Sequence, residues 1–258
     1  MAYRKQLTKL KAPYLKRVIL EQQRVEDWSA YPFDLPLFRH REFTLEFTGE
    51  ITIIIGENGS GKSTLLEGIA ALAGYDEAGG GKGYMPVDHS RAVDRSGQSL
   101  GAAMRAHWLP KVTTGWFFRA ESFYSVARYL DRVAQEPFGG PPPDFLSWSH
   151  GEGFMRFFEE RCHRQGIYLL DEPESALSPR RQIELLRLLG RMRESGIAQV
   201  IMATHSPLLM ACPGARLLEI RKGDVVEAEL RDVDHFRMMR KFCEDPDGFI
   251  HEALETEP

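Results

Sequence analysis

The chain has 258 residues, with 33 Lys and Arg against 37 Asp and Glu, and a formal net charge of −4. A composition that is 43% hydrophobic and 27% charged excludes wholesale disorder, a collagen repeat and a disulfide-stapled miniprotein. It also excludes a bulk polycation built to coat nucleic acid.

The charge is unevenly spread. Residues 1–20 carry Arg4, Lys5, Lys9, Lys11, Lys16 and Arg17 and no acid, whereas residues 243–258 carry acids and no Lys or Arg. Two solvated ends are the plain reading, and a basic arm for an acidic partner is the sharper one. The cysteines Cys162, Cys212 and Cys243 lack CxxC spacing, so neither a disulfide framework nor a zinc site is expected. The first residues, MAYRKQLTKL, contain no apolar core of a secretory signal. No apolar run approaches the roughly 18 residues of a membrane span. A cytoplasmic protein with no membrane span of its own is expected.

In chain order, Tyr14 to Leu20 is predicted as a strand, followed by a Pro- and aromatic-rich loop from Trp28 to Phe38. Arg41 to Phe47 alternates polar and apolar residues, as a half-buried strand does. Glu50 to Ile55 is a continuous β-branched run, the pattern of a strand buried on both faces. Ser63 to Ala73 has helical periodicity, and the Gly-dense stretch from Gly74 to Gly83 reads as a flexible surface loop. Thr114 to Phe118 is a further strand candidate, Glu121 to Val133 a helix, and Phe138 to Asp144 a turn-rich break. Gly151 to Arg164 reads as a helix, Ile167 to Leu170 as a buried strand, and Pro179 to Glu194 as an amphipathic helix capped by Ser178. Gln199 to Ala203 is a third buried strand, and a hairpin turns at Lys222-Gly223. Buried strands alternating with amphipathic helices predict an α/β fold with a mostly parallel sheet. Residues of about 84–164 break the rhythm and read as an inserted helical subdomain within a single domain spanning 1–258.

Gly56-Glu57-Asn58-Gly59-Ser60-Gly61-Lys62-Ser63, followed by Thr64, fits G-x-x-x-x-G-K-[ST] between a buried strand and a helix, the context that makes the pattern specific. Glycines let backbone N–H groups close on phosphate oxygens, and the helix N-terminus adds positive potential. Lys62 is expected to neutralise the β- and γ-phosphates of ATP and Ser63 to ligate Mg²⁺. Asp171-Glu172-Pro173 closes another hydrophobic strand. Asp171 there suits a second Mg²⁺ ligand, and Glu172 suits the group that polarises the attacking water.

These segments resemble the ABC-type ATPase superfamily. The resemblance is carried by GENGSGKST at Gly56–Thr64, LSWSHGEGF at Leu146–Phe154, LLDEPESALSP at Leu169–Pro179 and ATHSP at Ala203–Pro207. It is nearest to the compact stand-alone ATPases that also carry GWFFRAESF, here Gly115–Phe123. It implies an ABC ATPase-like sheet with antiparallel N-terminal strands. It makes Ser149, His150, Gly151 and Glu152 the signature segment that reaches the partner's ATP across a homodimer. Ser175 to Ser178 becomes the interface loop, and His205 the switch histidine that senses the γ-phosphate. The family's Gln between phosphate loop and signature is missing. Arg119 or Glu121 stands in its place, Glu121 as a metal contact, with Gln98 a poorer candidate because it reads as part of a Gly/Ser-rich loop. Tyr31, Phe33 and Phe38 are candidates to stack on adenine, and Arg17 to touch nucleotide.

The expected activity is Mg²⁺-dependent ATP hydrolysis at composite sites of an ATP-dependent dimer. The SHGE signature leans toward DNA metabolism, repair or mobile-element defence, with DNA or a separate effector protein as partner. The stretch from Lys62 to Ser149 is too short for an inserted coiled coil. A membrane transporter's nucleotide-binding subunit and a slow regulatory ATP-binding module are the alternatives.

Overall fold

The computed structural model describes residues 8–77, 79–82, 96–120 and 150–255. The predicted helix at 121–133, the break at 138–144, Ser149, Arg4 and Lys5 lie outside the described residues.

Two sheets organise these residues. β1 (Leu15–Leu20) is the centre of an antiparallel three-stranded sheet, flanked by β2 (Thr44–Glu46) and β4 (Met104–Trp108). The larger sheet contains β3 (Ile51–Gly56), β5 (Gly115–Arg119), β6 (Gly166–Asp171), β7 (Ala198–Ala203), β8 (Arg216–Arg221) and β9 (Asp224–Glu227) in the order β5-β6-β7-β3-β8-β9. All neighbours are parallel except the β8–β9 hairpin. The α/β fold with antiparallel N-terminal strands is therefore present.

β3, β6 and β7 are buried at every position, which explains why their sequences are apolar without alternation. Their side chains still alternate between two cores. Ile53, Leu170 and Met202 join a cluster with Phe154 and Phe157 of α3 (His150–Arg161) and Leu185 and Leu189 of α4 (Pro179–Ser195). Ile54, Leu169 and Ile201 face the opposite way, onto Leu65 and Ile69 of α1 (Lys62–Ala73) and Val18 of β1. Ser178 caps α4 as predicted, accepting from the Arg181 N–H. Gln199 stitches the layers together. Its amide oxygen accepts from the backbone N–H of Tyr14 and Leu15, and its amide nitrogen donates to the Leu15 carbonyl.

Three expectations change. First, the stretch from Gly74 to Gly83 is not a free surface loop in its described part. Gly80 and Phe117 exchange backbone hydrogen bonds of 2.8 and 2.9 Å, adding a bridge beside β5. Second, Gln98 lies on a helix, α2 (Ser96–Ala103), rather than in a Gly/Ser-rich loop. Its glycines serve packing: a Cβ on Gly97 would stand 2.7 Å from the Glu67 Cβ, and one on Gly101 2.7 Å from the Ala71 Cβ. Glycine here lets α2 lie against α1, although it reads in sequence as a breaker. Third, β4 and β5 fall inside residues 84–164 and belong to the two sheets, so that stretch is not wholly an insert.

The acidic end is exposed to solvent, as expected, and is helical. After the short α5 (Pro207–Met210), α6 (Asp234–Glu244) and α7 (Pro246–Glu255) form there, with Phe242 and Phe249 in edge contact at 6.0 Å between ring centroids.

Candidate active site at the carboxyl edge of the sheet

Parallel strands deliver their carboxyl ends to one edge. Arg119, Asp171 and Ala203 lie in register across β5, β6 and β7, and Ile54 of β3 pairs with Ala203. The segment 56–61 leaves β3 at this edge, and His205 follows two residues after β7 ends. β3 has β7 on one side and β8 on the other, so the crevice at its end is a topological switch point.

The loop is shaped by backbone freedom. Gly56, Gly59 and Gly61 have φ of 152°, 75° and 99°, values that L side chains rarely adopt. A Cβ at Gly56 would also stand 2.9 Å from the Ile220 carbonyl oxygen. Lys62 is buried at the start of α1, and its Nζ donates to the carbonyls of Gly56 at 2.9 Å and Glu57 at 3.1 Å. Burial lowers its pKa, while Glu172, Asp171, Glu57 and Glu174 hold its charge in place. A cavity of about 830 Å³ opens beside the loop, lined by Gly56 to Ser60, the β8–β9 turn and His235 and Arg237 of α6. That volume is in the range of small-molecule sites.

The acids and the histidine converge on the same edge. Ser63 Oγ donates to Asp171 Oδ1 at 2.9 Å. Burial pushes the Asp171 carboxyl up to about 6, against the Arg119 charge and the Ser63 hydroxyl, which pull it down. Glu172 has φ 46°, a left-handed conformation rare outside glycine, and such strain clusters at functional positions. His205 Nε2 stands 3.5 Å from Glu172 Oε1. Burial, then the Lys62 charge, lowers the His205 pKa, so the neutral imidazole is favoured.

A smaller cavity of about 50 Å³ is lined by Ser63, Arg119, Ala120, Asp171, Glu172 and Ser175. Its hydroxyl and carboxylate oxygens are the hard donors that Mg²⁺ takes. Among the described residues no cluster of three His, Cys, Asp or Glu could hold a metal alone. The Ser63 hydroxyl and the Asp171 carboxylate are residues that could hold Mg²⁺ together with phosphate and water. Arg119 also borders this cavity, 2.6 Å from Glu67 Oε1 and 3.5 Å from Asp171 Oδ2.

Other predicted residues lie elsewhere or outside view. Ser149 and Glu121 lie outside the described residues, and Gly151 is in the first turn of α3. Glu152 accepts from Arg181 of α4 at 3.0 Å within its own chain. Arg17, on β1, is ion-paired with Glu46 at 3.8 Å and does not line either cavity. Gln98 is exposed on α2 and lines neither cavity. Phe33 and Phe38 are core residues, whereas Tyr31 is half exposed and its hydroxyl is 2.8 Å from Thr64 Oγ1.

Sequence reasoning missed three participants. Glu174 accepts from the His205 N–H at 2.5 Å and the Thr204 hydroxyl at 2.8 Å, fixing the segment that carries the histidine. Glu67 holds Arg119, and an acid within the apolar face of α1 was a readable signal for a buried cation. His235 touches His205 from α6, and nothing in the sequence pointed to it.

Two family models match parts of the chain: "AAA domain" over residues 37–97 and "AAA domain, putative AbiEii toxin, Type IV TA system" over residues 154–211. The hemin import ATP-binding protein of Nitrobacter winogradskyi is 30% identical over 201 residues, covering 69% of this chain and 72% of that protein. The cytochrome c biogenesis ATP-binding export protein of Rhodopseudomonas palustris is 31% identical over 178 residues, covering 62% of this chain and 80% of that one.

The chain belongs to the ABC-type ATPases.

Family members hydrolyse ATP, and this ATPase carries the phosphate loop and the acidic strand end on one sheet edge. Its fold is also similar to the SMC head domain from Thermotoga maritima, at 15% identity and a TM-score of 0.44, over 84% of this chain and all of that one. Among the described residues no helix is long and apolar enough to cross a membrane.

Proposed function

We propose that this ATPase is an ATP-dependent dimerising switch that hydrolyses ATP at two composite sites. The observation that carries the reading is the meeting of Ser63, Asp171, Glu172 and His205, from three strand ends, beside one phosphate loop. Lys62 exchanges its bonds to the Gly56 and Glu57 carbonyls for β- and γ-phosphate oxygens. The loop's N–H groups bind the same phosphates. Ser63 and Asp171 would hold Mg²⁺, which when bound would supply charge neutralisation on the phosphates. Glu172 orients the attacking water and takes its proton. His205, kept neutral, donates Nε2–H to the γ-phosphate side of the crevice. The partner's signature segment, beginning at the residue equivalent to Ser149, closes the site.

The work driven by this cycle is proposed to be in DNA metabolism, repair or mobile-element defence. The SHGE signature and the basic run at the N-terminus support that reading. A second reading, the nucleotide-binding subunit of a transporter, is favoured by the relatives named as import and export ATP-binding proteins. ATPase rates measured with double-stranded DNA, single-stranded DNA and liposomes over a salt series separate them. Stimulation by DNA that fades with salt supports the first. No effect of nucleic acid, with a membrane protein co-purifying, supports the second and overturns the first.

A further inference from the structure

His235 is the second residue of α6, 30 positions after His205 in the chain. Val233 before it is buried in the core, and Phe236 after it packs against the same cluster. Arg237 further ties this turn together by donating to the Arg231 carbonyl and the Asp232 carboxylate. His235 is thereby fixed beside the loop cavity, with its Nε2 3.5 Å from Nδ1 of His205 and the ring centroids 5.3 Å apart.

The proton positions follow from the partners. The Glu172 carboxylate can only accept, so a neutral His205 facing it must carry its proton on Nε2. Nδ1 is then a lone pair and needs a donor. Glu174 cannot supply one, because it binds the backbone N–H of His205 and the Thr204 hydroxyl. His235 Nε2–H is the donor that faces it. Among the described residues, His205 Nε2 is buried and makes no hydrogen bond. Both 3.5 Å separations are at the outer edge of hydrogen bonding, the range catalytic contacts occupy before substrate draws them together.

We propose that His235 is a positioning residue that locks His205 in the tautomer with its proton on Nε2, aimed at Glu172 and the γ-phosphate. α6 thereby contributes to the ATP site through His205. The inference rests on the hydrolytic roles proposed above for Glu172 and His205.

The test uses the full chain with His235→Leu and His235→Gln. Steady-state ATPase is measured alongside ¹⁵N–¹H spectra of the histidine side chains, and thermal melts check folding. His235→Leu should lower kcat by about 10- to 100-fold, the usual cost of losing an orienting partner. KM for ATP should change less than kcat, as expected of a group that acts through His205. The His205 signals should move toward the Nδ1-protonated tautomer. His235→Gln, whose amide N–H replaces the donor, should recover most of the rate and the tautomer. The proposal is overturned if His235→Leu leaves the tautomer unchanged, whatever its rate, or if Gln rescues neither. If the wild type hydrolyses no ATP, the hydrolytic reading fails, and the tautomer spectra alone decide the role of His235.

Discussion

Ser63 Oγ donates to Asp171 Oδ1 at 2.9 Å, joining the first turn of α1 to the end of β6 across 108 positions of sequence. Both groups are oxygen donors suited to one Mg²⁺ ion, and their bond sets them at neighbouring corners of one small cavity. The register of β5, β6 and β7 does the rest. It brings Arg119, Asp171 and Ala203 side by side, and His205, two residues after Ala203, stands 3.5 Å from Glu172.

Replacing Lys62 by Met should weaken ATP binding by about 10- to 100-fold, the value of one hydrogen-bonded charge on phosphate. Fluorescent-nucleotide titration measures it. The fold should survive, because Gly56 and Glu57, whose carbonyls Lys62 now engages, both border the cavity beside the loop.

Gln199→Leu should be among the most destabilising single changes. It leaves the Tyr14 and Leu15 N–H groups and the Leu15 carbonyl without their buried partner. A loss of roughly 3 kcal/mol is expected from such unpaired groups. Chemical denaturation would measure it, and a change under about 0.5 kcal/mol, the level of ordinary surface substitutions, would contradict the account.

Asp171 gives a pH signature in protein without metal and nucleotide. Its folded-state value of about 6 exceeds its unfolded one, so between about 4 and 6 the native state holds a proton that the unfolded chain has lost. Stability from this group is fully present at low pH and falls as pH rises through that window. The stability difference between wild type and Asp171→Asn should decline by on the order of 3 kcal/mol across it. A flat or rising difference would contradict the burial of this carboxyl.

The thiols should separate by reactivity. Cys162 and Cys212 are buried, and burial pushes the Cys162 thiol well up and the Cys212 thiol to about 11. Cys243, exposed on α6, should react with an alkylating reagent first in native protein. Mass spectrometry of a time course would locate the label.

The α/β fold and the strand-loop-helix around Lys62 were legible because β-branched runs and the Gly-Lys-Ser spacing are local signals. Asp171 and Glu172 were legible for the same reason, as acids ending an apolar run. What stayed hidden depends on tertiary contact. Gly97 and Gly101 look like loop residues until α1 lies against them. Gly80 looks like part of a surface loop until Phe117 takes its hydrogen bonds. Glu174 is one acid among several in its motif, and only the turn after β7 shows that it holds His205. His235, 30 positions later in the chain, is brought to His205 by α6.

The most direct measurement is the solution mass of Glu172→Gln protein with ATP and Mg²⁺, by light scattering. This change removes the proton acceptor and leaves the phosphate loop, Ser63 and Asp171 intact. The account predicts a stable dimer that the wild type forms only transiently, with hydrolysis slowed by about 10²- to 10⁴-fold. A variant that binds ATP yet stays monomeric at every concentration, or that hydrolyses at the wild-type rate, would contradict it.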